Sequence, residues 1–288
     1  MAVARAPLGT AAPGAPTTSP AFPVVPQPSR LRSFAASYEH QLLLYRRTWR
    51  GSIFGNFAAP ALFLVSMGMG LGSYVDASRT AALGGVPYLQ WLAPALLVST
   101  VMQGAAFEGT FPVLGGFRWN RRYWAMYATP LTPGAIAFGQ IAWVATRATL
   151  VGAIFTFVSF LFGAVATPGF VFAIPVGTLT ALAFAAPIAA YMTTQRDTTA
   201  FNSIWRFGIT PLFLFSGTFF PIESLPPAIQ PIAWLLPLWH GVDLARALAL
   251  GTVADDPLKM LAHVVILSAV AAAGIVAMFV MFRRQLAK

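Results

Sequence analysis

Residues 148–195 read ATLVGAIFTFVSFLFGAVATPGFVFAIPVGTLTALAFAAPIAAYMTTQ, a run without a single Asp, Glu, Lys or Arg. A helix needs about 20 apolar residues to cross the hydrocarbon core of a bilayer. The run is therefore long enough for the end of one span and the whole of a second. Thr167-Pro168-Gly169 carries the signal of a turn between them. We predict two consecutive membrane-spanning helices here.

The composition of the whole chain agrees with a membrane location. Of its 288 residues 57% are hydrophobic and only 9% are charged, and the mean hydropathy is +0.70. A soluble domain carries about 25% charged residues, so this chain lacks the polar surface that water requires. The net charge of +10 lies in short clusters between apolar runs, the pattern of topology signals rather than of nucleic-acid binding. We expect no nucleic-acid partner, and the absence of Cys excludes disulfides and thiol catalysis.

The other charge-free intervals complete an all-α membrane protein with six predicted spans. The first two cover 51–75 and 80–107, and the third includes 123–146 and continues past Arg147. The fourth follows Pro168, a short fifth covers 207–222, and the sixth covers 260–282. Residues 224–242 contain four prolines, which are poorly suited to a continuous helix. We interpret that interval as a broken, half-inserted element on the outer side.

The distribution of arginine supports six spans. Basic residues precede span one, lie between spans two and three and between four and five, and follow span six. All of these fall on one side of the membrane only if the number of spans is six. The positive-inside rule then places both termini in the cytoplasm of a multi-pass cell (inner) membrane protein. A seventh span through 224–242 would move Arg283 and Arg284 outside.

Two segments precede the first span. Residues 1–29 are rich in Pro and Ala, a composition typical of a disordered tail. In residues 31–50 apolar side chains recur at steps of three and four with a basic face between them, which predicts an amphipathic helix at the membrane surface. Gly51 favours a separate helix, although a continuous extension of span one is the alternative.

Several enzymatic sites are excluded or disfavoured by missing motifs. A phosphate-binding loop needs a lysine directly after a glycine, and the two lysines, Lys259 and Lys288, follow other residues. The chain therefore lacks its own ATPase of that type. Neither a His-Glu-x-x-His zinc motif nor a Gly-x-Ser-x-Gly elbow is present.

Two ionisable residues lie inside predicted spans. At 1.5 Å per residue, Glu108 and Arg147 lie roughly 15 and 20 Å from the cytoplasmic ends of their helices. An unpaired charge at the bilayer centre costs on the order of 3 kcal/mol, so we predict a Glu108–Arg147 pair. The pair either fixes two helices or takes part in transport.

The predicted cytoplasmic loop between spans two and three is basic and aromatic. Arg118, Arg121 and Arg122 alternate with Trp119, Tyr123, Trp124 and Tyr127. This pattern predicts a short surface helix that Thr129-Pro130 would end. An ordinary interfacial anchor is the alternative interpretation.

Two stretches of the outer segment are more specific. Residues 213–226 read FLFSGTFFPIESLP, and residues 236–242 read LPLWHGV. With ATPLTP at 128–133, they resemble the type 2 ABC exporter permease family, particularly the branch of drug-resistance permeases and the nodulation lipo-oligosaccharide exporter. The resemblance covers residues 31–288.

The resemblance implies an architecture and a set of partners. Such permeases have six spans, an interface helix (here 31–50) and re-entrant outer helices (here 221–250) within a permease domain (here 30–288). Two permeases, as a homodimer or with a close paralogue, pair with two copies of a separate ABC ATPase. ATP and magnesium belong to that ATPase, so no cofactor is expected in this chain.

The resemblance also implies roles for individual residues. Residues 117–133 would form the coupling segment that docks on the ATPase. The residues that couple the permease to the ATPase would be Arg118, Arg121, Arg122, Tyr123, Thr129 and Pro130. The outer gate would include Phe219, Phe220, Pro221 and His240. One departure is that Gln140, rather than an acidic residue, follows Gly139.

The resulting expectation is a permease subunit that exports an amphipathic drug, glycolipid or lipid-linked saccharide and is no enzyme itself. One alternative is a membrane-embedded lipid-modifying enzyme. Another is a non-transporting scaffold or immunity protein on the same fold.

Overall fold

The computed structural model describes residues 28–71 and 85–288, and within these ranges the chain forms helices and no strand. The first helices in chain order are α1 (Arg30–Val65, continued by a π-helix at Ser66–Leu71), α2 (Tyr88–Arg118), α3 (Arg122–Tyr127) and α4 (Pro133–Leu161). A 3-10 turn at Pro168–Phe172 leads into α5 (Ala173–Met192), which is followed by α6 (Thr199–Ser203, continued by a π-helix at Ile204–Ile209) and α7 (Thr210–Phe215). After a 3-10 turn at Ile222–Ser224 come α8 (Gln230–Leu235), α9 (Pro237–Leu250), a 3-10 turn at Val253–Asp255 and α10 (Pro257–Leu286).

Local sequence explains where the long helices begin. The Thr132 hydroxyl accepts a hydrogen bond from the Ala135 amide at 3.2 Å, and Pro133 occupies the first turn of α4. Asp256 caps α10 through the Lys259 amide at 3.0 Å, again with a proline at the first position. Such caps satisfy amides that have no partner within the helix, and proline there loses no hydrogen bond.

Helix α5 lies at the centre of the bundle. It packs against α2, α4, α9 and α10, and α1 packs along α4 at the edge. Helices α2 and α5 approach closely at Gly109, where a Cβ atom would lie 2.7 Å from the Ala185 carbonyl oxygen. The buried core is built from small and aliphatic side chains of these helices, as expected where helices pack closely in a membrane.

Three helical segments within the described ranges are long and apolar enough to cross a membrane: Pro133–Leu161, Pro168–Met192 and Pro257–Leu286. They match the predicted third, fourth and sixth spans. Large apolar side chains such as Phe157, Phe160 and Val276 are exposed on them. An exposed apolar surface of this kind suits lipid rather than water.

The N-terminal part differs from its prediction. Helix α1 continues through Gly51 without a break, so the separate helix at 31–50 is wrong and the continuous extension is correct. A Cβ atom at Gly51 would meet nothing within 4 Å, so no neighbouring contact ends the helix there. Most of the predicted tail (residues 1–27) and parts of the first two predicted spans (residues 72–84) lie outside the described residues.

Two further bounds differ from the sequence prediction. The charge-free interval of span two ends at 107, but helix α2 extends to Arg118, so Glu108 lies inside the helix as predicted. The helical run of the predicted fifth span covers 199–215 rather than 207–222. The backbone turns at Gly217, whose φ of 77° lies in the left-handed region that glycine adopts without strain.

The proline-rich outer segment is broken as predicted. Helices α8 and α9 are separated at Leu236, which has an extended backbone. Helix α9 buries Leu238, Val242 and Leu244 and packs against α2, α5 and α10. Whether this segment enters the membrane from outside stays a prediction.

Candidate functional site

The segment 117–133 is folded back onto the helix bundle by one aromatic side chain. Tyr123 of α3 is buried and lies against Phe117 of α2 and Phe282 of α10, with ring centroids 4.7 and 5.1 Å away. Burial raises the pKa of the Tyr123 phenol, which keeps its hydroxyl protonated and able to donate. Tyr123 is therefore an anchor of the segment, and its predicted part in coupling to an ATPase stays a prediction.

The Tyr123 hydroxyl leads to a hydrogen-bond network centred on Gln140 of α4. The hydroxyl donates to Gln140 Oε1 at 3.0 Å, and Gln41 of α1 donates to the same oxygen at 2.8 Å. Gln140 Nε2 donates in turn to the backbone carbonyl of Glu108 at 3.4 Å. The network thus joins α1, α2, α3 and α4 through one buried amide.

Helices α1 and α4 approach closely beside this network. A Cβ atom at Gly139 would lie 2.8 Å from the backbone carbonyl carbon of Ser37 and would overlap the Ser37 side chain. Glycine at this position allows Gln41 to reach Gln140. The residue pair Gly139-Gln140 therefore positions α1 on the end of α4.

Two of the predicted docking arginines also make internal contacts. Arg118 donates to the backbone carbonyls of Gln195 and Thr193 at 2.8 and 3.4 Å, next to the last turn of α5. Arg122 donates to the Tyr123 hydroxyl at 2.9 Å and lies over its ring. Both arginines therefore stabilise the segment in addition to any surface role.

The remaining members of the predicted docking set are on the surface. Arg121, Thr129 and Pro130 are exposed, and so is Trp119. Arg121 has a left-handed backbone with φ 49° at the start of α3. A rigid base with an exposed basic and aromatic rim is suited to binding another protein.

The predicted contact between Glu108 and Arg147 is present, while its location inside a membrane stays a prediction. The guanidinium of Arg147 contacts Glu108 Oε1 and also lies 3.4 Å from the Ser52 hydroxyl of α1. The Glu108 side chain is 9% exposed and that of Arg147 is 31% exposed. A mutual pair is the arrangement that lowers the cost of burying two charges away from water.

The predicted outer-gate residues lie on two elements, the turn after α7 and helix α9. Phe219 packs on Phe213 at 4.9 Å between ring centroids, and its carbonyl accepts a hydrogen bond from Tyr88 at 3.1 Å. Phe220 and Pro221 follow it in the same turn and are partly buried. His240 lies on α9 with a partner on α10, and a Cβ atom at Gly217 of the turn would lie 3.7 Å from the ring of the neighbouring Trp239. That these residues form an outer gate stays a prediction.

The aromatic turn is fixed to α2 by polar contacts. Ser99 and Thr218 are buried and hydrogen-bonded at 2.8 Å. Arg246 donates to the carbonyls of Gly217 and Trp91 at 2.8 and 3.3 Å and lies over the Trp91 ring. These contacts hold the FSGTFFP motif in place.

His240 belongs to a polar cluster between α9 and α10. Its Nδ1 lies 2.7 Å from Nδ1 of His263, whose Nε2 lies 3.0 Å from Asp243 Oδ2. Lys259 lies 2.8 Å from the same carboxylate oxygen. Because the carboxylate only accepts hydrogen bonds, His263 donates to it from Nε2.

Sequence reasoning missed Gln41 as well as the roles of Gln140 and Asp243. It followed ionisable residues within spans, whereas uncharged amides in apolar helices also form interhelical hydrogen bonds. The spacing of His240, Asp243 and Arg246 at every third residue was a usable signal for one polar helix face. In the part of the chain that the structure describes, no group of three or more His, Asp or Glu side chains is placed to hold a metal ion.

Comparison with known proteins identifies a family. The profile of the ABC-2 type transporter family matches residues 32–250. The match includes α1 to α9 and therefore both the Gln140 network and the outer turn.

Individual relatives cover most of the chain. Nodulation protein J of Neorhizobium galegae is 32% identical over 231 residues, which are 80% of this chain and 86% of the relative. Nodulation protein J of Rhizobium leguminosarum bv. viciae is 33% identical over 76% of this chain and 83% of its own length. The inner membrane transport permease YadH of Escherichia coli is 23% identical over 79% of this chain and 85% of its own.

Proposed function

This chain belongs to the ABC-2 type transporter family, and on that premise we propose that it is the membrane permease subunit of an ABC exporter. The proposed cargo is an amphipathic molecule: a drug, a glycolipid or a lipid-linked saccharide. The energy comes from a separate ATPase subunit, which supplies the ATP and magnesium site. The transport subunit itself catalyses no reaction.

The observation that carries the proposal is the construction of segment 117–133. Its base is anchored through Tyr123 and Arg118, while Arg121, Thr129 and Pro130 are exposed on its rim. A subunit powered by a separate ATPase needs such a surface, because a force applied to a loose loop would not reach the bundle. We assign ATPase docking to the exposed rim.

The Gln140 network provides a route from that surface into the bundle. Movement of α3 acts on Gln140 through Tyr123, and Gln140 is bonded to the backbone of Glu108. Glu108 in turn pairs with Arg147. Closure of the ATPase would favour a second packing of α1, α2 and α4 through these contacts, as two-state coupling requires.

The complete transporter in this proposal contains two permeases and two ATPase copies. The second permease is an identical copy or a close paralogue. The chain crosses the inner membrane six times with both termini in the cytoplasm, and α8 and α9 form the re-entrant outer segment. Phe219, Phe220 and Pro221 contribute to the outer gate, and His240 supports it from α9.

Purification from native membranes tests the proposal. The full-length chain, tagged at its C-terminus, is extracted in mild detergent, and the associated proteins and their ATP hydrolysis are measured. We expect a protein with a Gly-x-x-x-x-Gly-Lys-Ser/Thr loop to co-purify and to hydrolyse ATP, and the isolated chain to be inactive. Hydrolysis by the isolated chain, or repeated absence of such an ATPase, contradicts the proposal.

A further inference from the structure

Helix α1 carries three exposed arginines near its midpoint. Arg46, Arg47 and Arg50 form no ion pair within residues 28–71 and 85–288. An open concavity of ≈320 Å³ is lined by residues 46–51. This lining presents three positive charges and no carboxylate, so it is suited to an anionic ligand.

The face of α1 that bears these arginines becomes apolar within one further turn. Arg46, Arg50, Phe54 and Phe57 follow one another at steps of four, four and three residues, which places them on one side of the helix. Phe54 is 72% exposed and Phe57 is 38% exposed. Gln41 lies on the opposite side, where it bonds to α4. Because α1 is one continuous helix, a ligand held by the arginines has an exposed apolar surface directly beside it.

The length of this face matches a phospholipid. The stretch from Arg50 to Phe57 covers about 10 Å along a helix. One leaflet contributes about 15 Å of the hydrocarbon core, so an acyl chain that starts at Arg50 passes both phenylalanines. Trp49 is exposed beside the arginines, and the Arg50 guanidinium lies 5.6 Å from its ring centroid. Tryptophan prefers the boundary between headgroups and acyl chains, close to the phosphate of a lipid.

We propose that this face of α1 binds one anionic phospholipid. The phosphate lies on Arg46, Arg47 and Arg50, and an acyl chain lies along Phe54 and Phe57. Guanidinium groups present paired N–H donors that match two phosphate oxygens. The inference goes beyond the proposed export function, because this lipid is a bound component of the protein and not its cargo.

Two other occupants fit the face less well. A second copy of the chain packed through the same face would bring its own arginines against these, since a twofold contact pairs a surface with itself and like charges repel. An acidic surface of a soluble protein would account for the arginines. It would not account for Phe54 and Phe57, whose exposure suits lipid.

The charge of the face can be changed with a matched control on the same helix. Arg46→Gln/Arg50→Gln removes two of the three charges. Arg30→Gln/Arg32→Gln removes two charges from exposed positions near the start of α1, about 20 Å away along the helix. The two double variants have the same net charge, so a difference between them reports the position of the charges.

The apolar part of the face has its own variant. Phe54→Ala shortens an exposed side chain without changing the charge. Phe207→Ala is the control, because Phe207 is 75% exposed and lies on a different helix. A ligand held by charge alone would not distinguish these two variants.

The test is native mass spectrometry of the full-length chain in detergent, titrated with dioleoylphosphatidylglycerol. We expect one lipid bound tightly per chain. Arg46→Gln/Arg50→Gln should weaken it roughly thirtyfold, because each arginine near an anionic lipid surface contributes about fivefold. Phe54→Ala should weaken it about fivefold through lost apolar contact. The Arg30→Gln/Arg32→Gln and Phe207→Ala variants should bind as the wild type does.

The wild type alone provides a second measurement. Dioleoylphosphatidylcholine, which has no net charge, should bind at least about tenfold more weakly. Inorganic phosphate should displace the lipid no more than sodium chloride of equal ionic strength, because it lacks the acyl chain.

Four results overturn the inference. These are equal affinity of wild type and Arg46→Gln/Arg50→Gln for phosphatidylglycerol, equal binding of the two lipids, displacement by phosphate beyond that by chloride, and a dimer that excludes the lipid its monomer binds. The last result would assign the face to a second copy. The measurement involves neither ATP nor an ATPase, so its outcome does not depend on the permease proposal.

Discussion

At the scale of single residues, the end of the bundle that carries segment 117–133 depends on two neighbouring positions in α4. Gln140 accepts hydrogen bonds from Gln41 and Tyr123 and donates to the Glu108 carbonyl. Gly139 gives α1 the space to approach. The Gln140 network and the close approach of α1 to α4 thus depend on each other, because Gln41 reaches Gln140 only if α1 lies near α4.

Gly139→Ala should destabilise the protein by about 2 kcal/mol, since the added methyl group would overlap Ser37 and force the helices apart. Gly134→Ala is the control on the same helix, where the nearest atoms to a Cβ lie 4.0 Å away. Denaturant unfolding in detergent micelles measures both variants. Equal stability of the two would show that the α1–α4 contact is not tight.

The Glu108–Arg147 pair is a second feature at the scale of single residues. Glu108→Gln and Arg147→Gln should each cost about 2 kcal/mol, because each leaves one charge unpaired and Arg147 is only 31% exposed. The double variant should be more stable than either single variant, and a double-mutant cycle of unfolding free energies gives the coupling. Additive effects would mean that the two side chains do not interact.

At the scale of elements, the short helix α3 is the connection between a docking surface and the bundle. Its buried face contacts α2, α4 and α10, and its rim presents Arg121. Because the helix is only six residues long, its position depends on Tyr123 rather than on its own hydrogen bonds.

Arg121→Asn should weaken association with the ATPase roughly tenfold, the cost of losing one anchoring charge at an interface. Asparagine tolerates the left-handed backbone of this position, so the fold is preserved. Arg206→Asn, at another exposed arginine, should bind normally. The affinities of the purified variants for the ATPase give the comparison. An equal loss of affinity in both variants would mean that the effect comes from net charge alone and not from docking at Arg121.

The polar cluster between α9 and α10 is a second element-scale feature. Asp243→Asn should destabilise the protein by about 2 kcal/mol, because the carboxylate is the shared acceptor for His263 and Lys259. Asp255→Asn, at an exposed carboxylate in the same region, should change the stability by less than about 0.5 kcal/mol. Thermal unfolding of both variants tests this, and no difference between them would argue against a stabilising role of the polar cluster.

At the scale of the whole molecule, the sequence was sufficient for the parts that depend on local signals. The helices Pro133–Leu161, Pro168–Met192 and Pro257–Leu286 follow from apolar length and from caps next to proline. The contact between Glu108 and Arg147 could be predicted because the two residues lie at similar distances from the same ends of two adjacent antiparallel helices.

Other features depend on tertiary structure and could not be predicted. Tyr123 is buried because Phe282, at the opposite end of the chain, packs on its ring. Helix α1 passes Gly51 because nothing there interrupts it. A cavity beside Gly104 exists only because three separate helices meet around it.

Site-specific cross-linking in native membranes tests the central claim most directly, because the chain has no cysteine of its own. A single cysteine introduced as Thr129→Cys, on the exposed rim, is coupled to a photoreactive maleimide, and Asp255→Cys is the control. We predict an adduct between residue 129 and a phosphate-loop ATPase, with residue 129 shielded from membrane-impermeant reagent added outside. Residue 255 should react from outside and give no such adduct. Labelling of residue 129 from outside, or an ATPase adduct from residue 255 instead, would contradict the account.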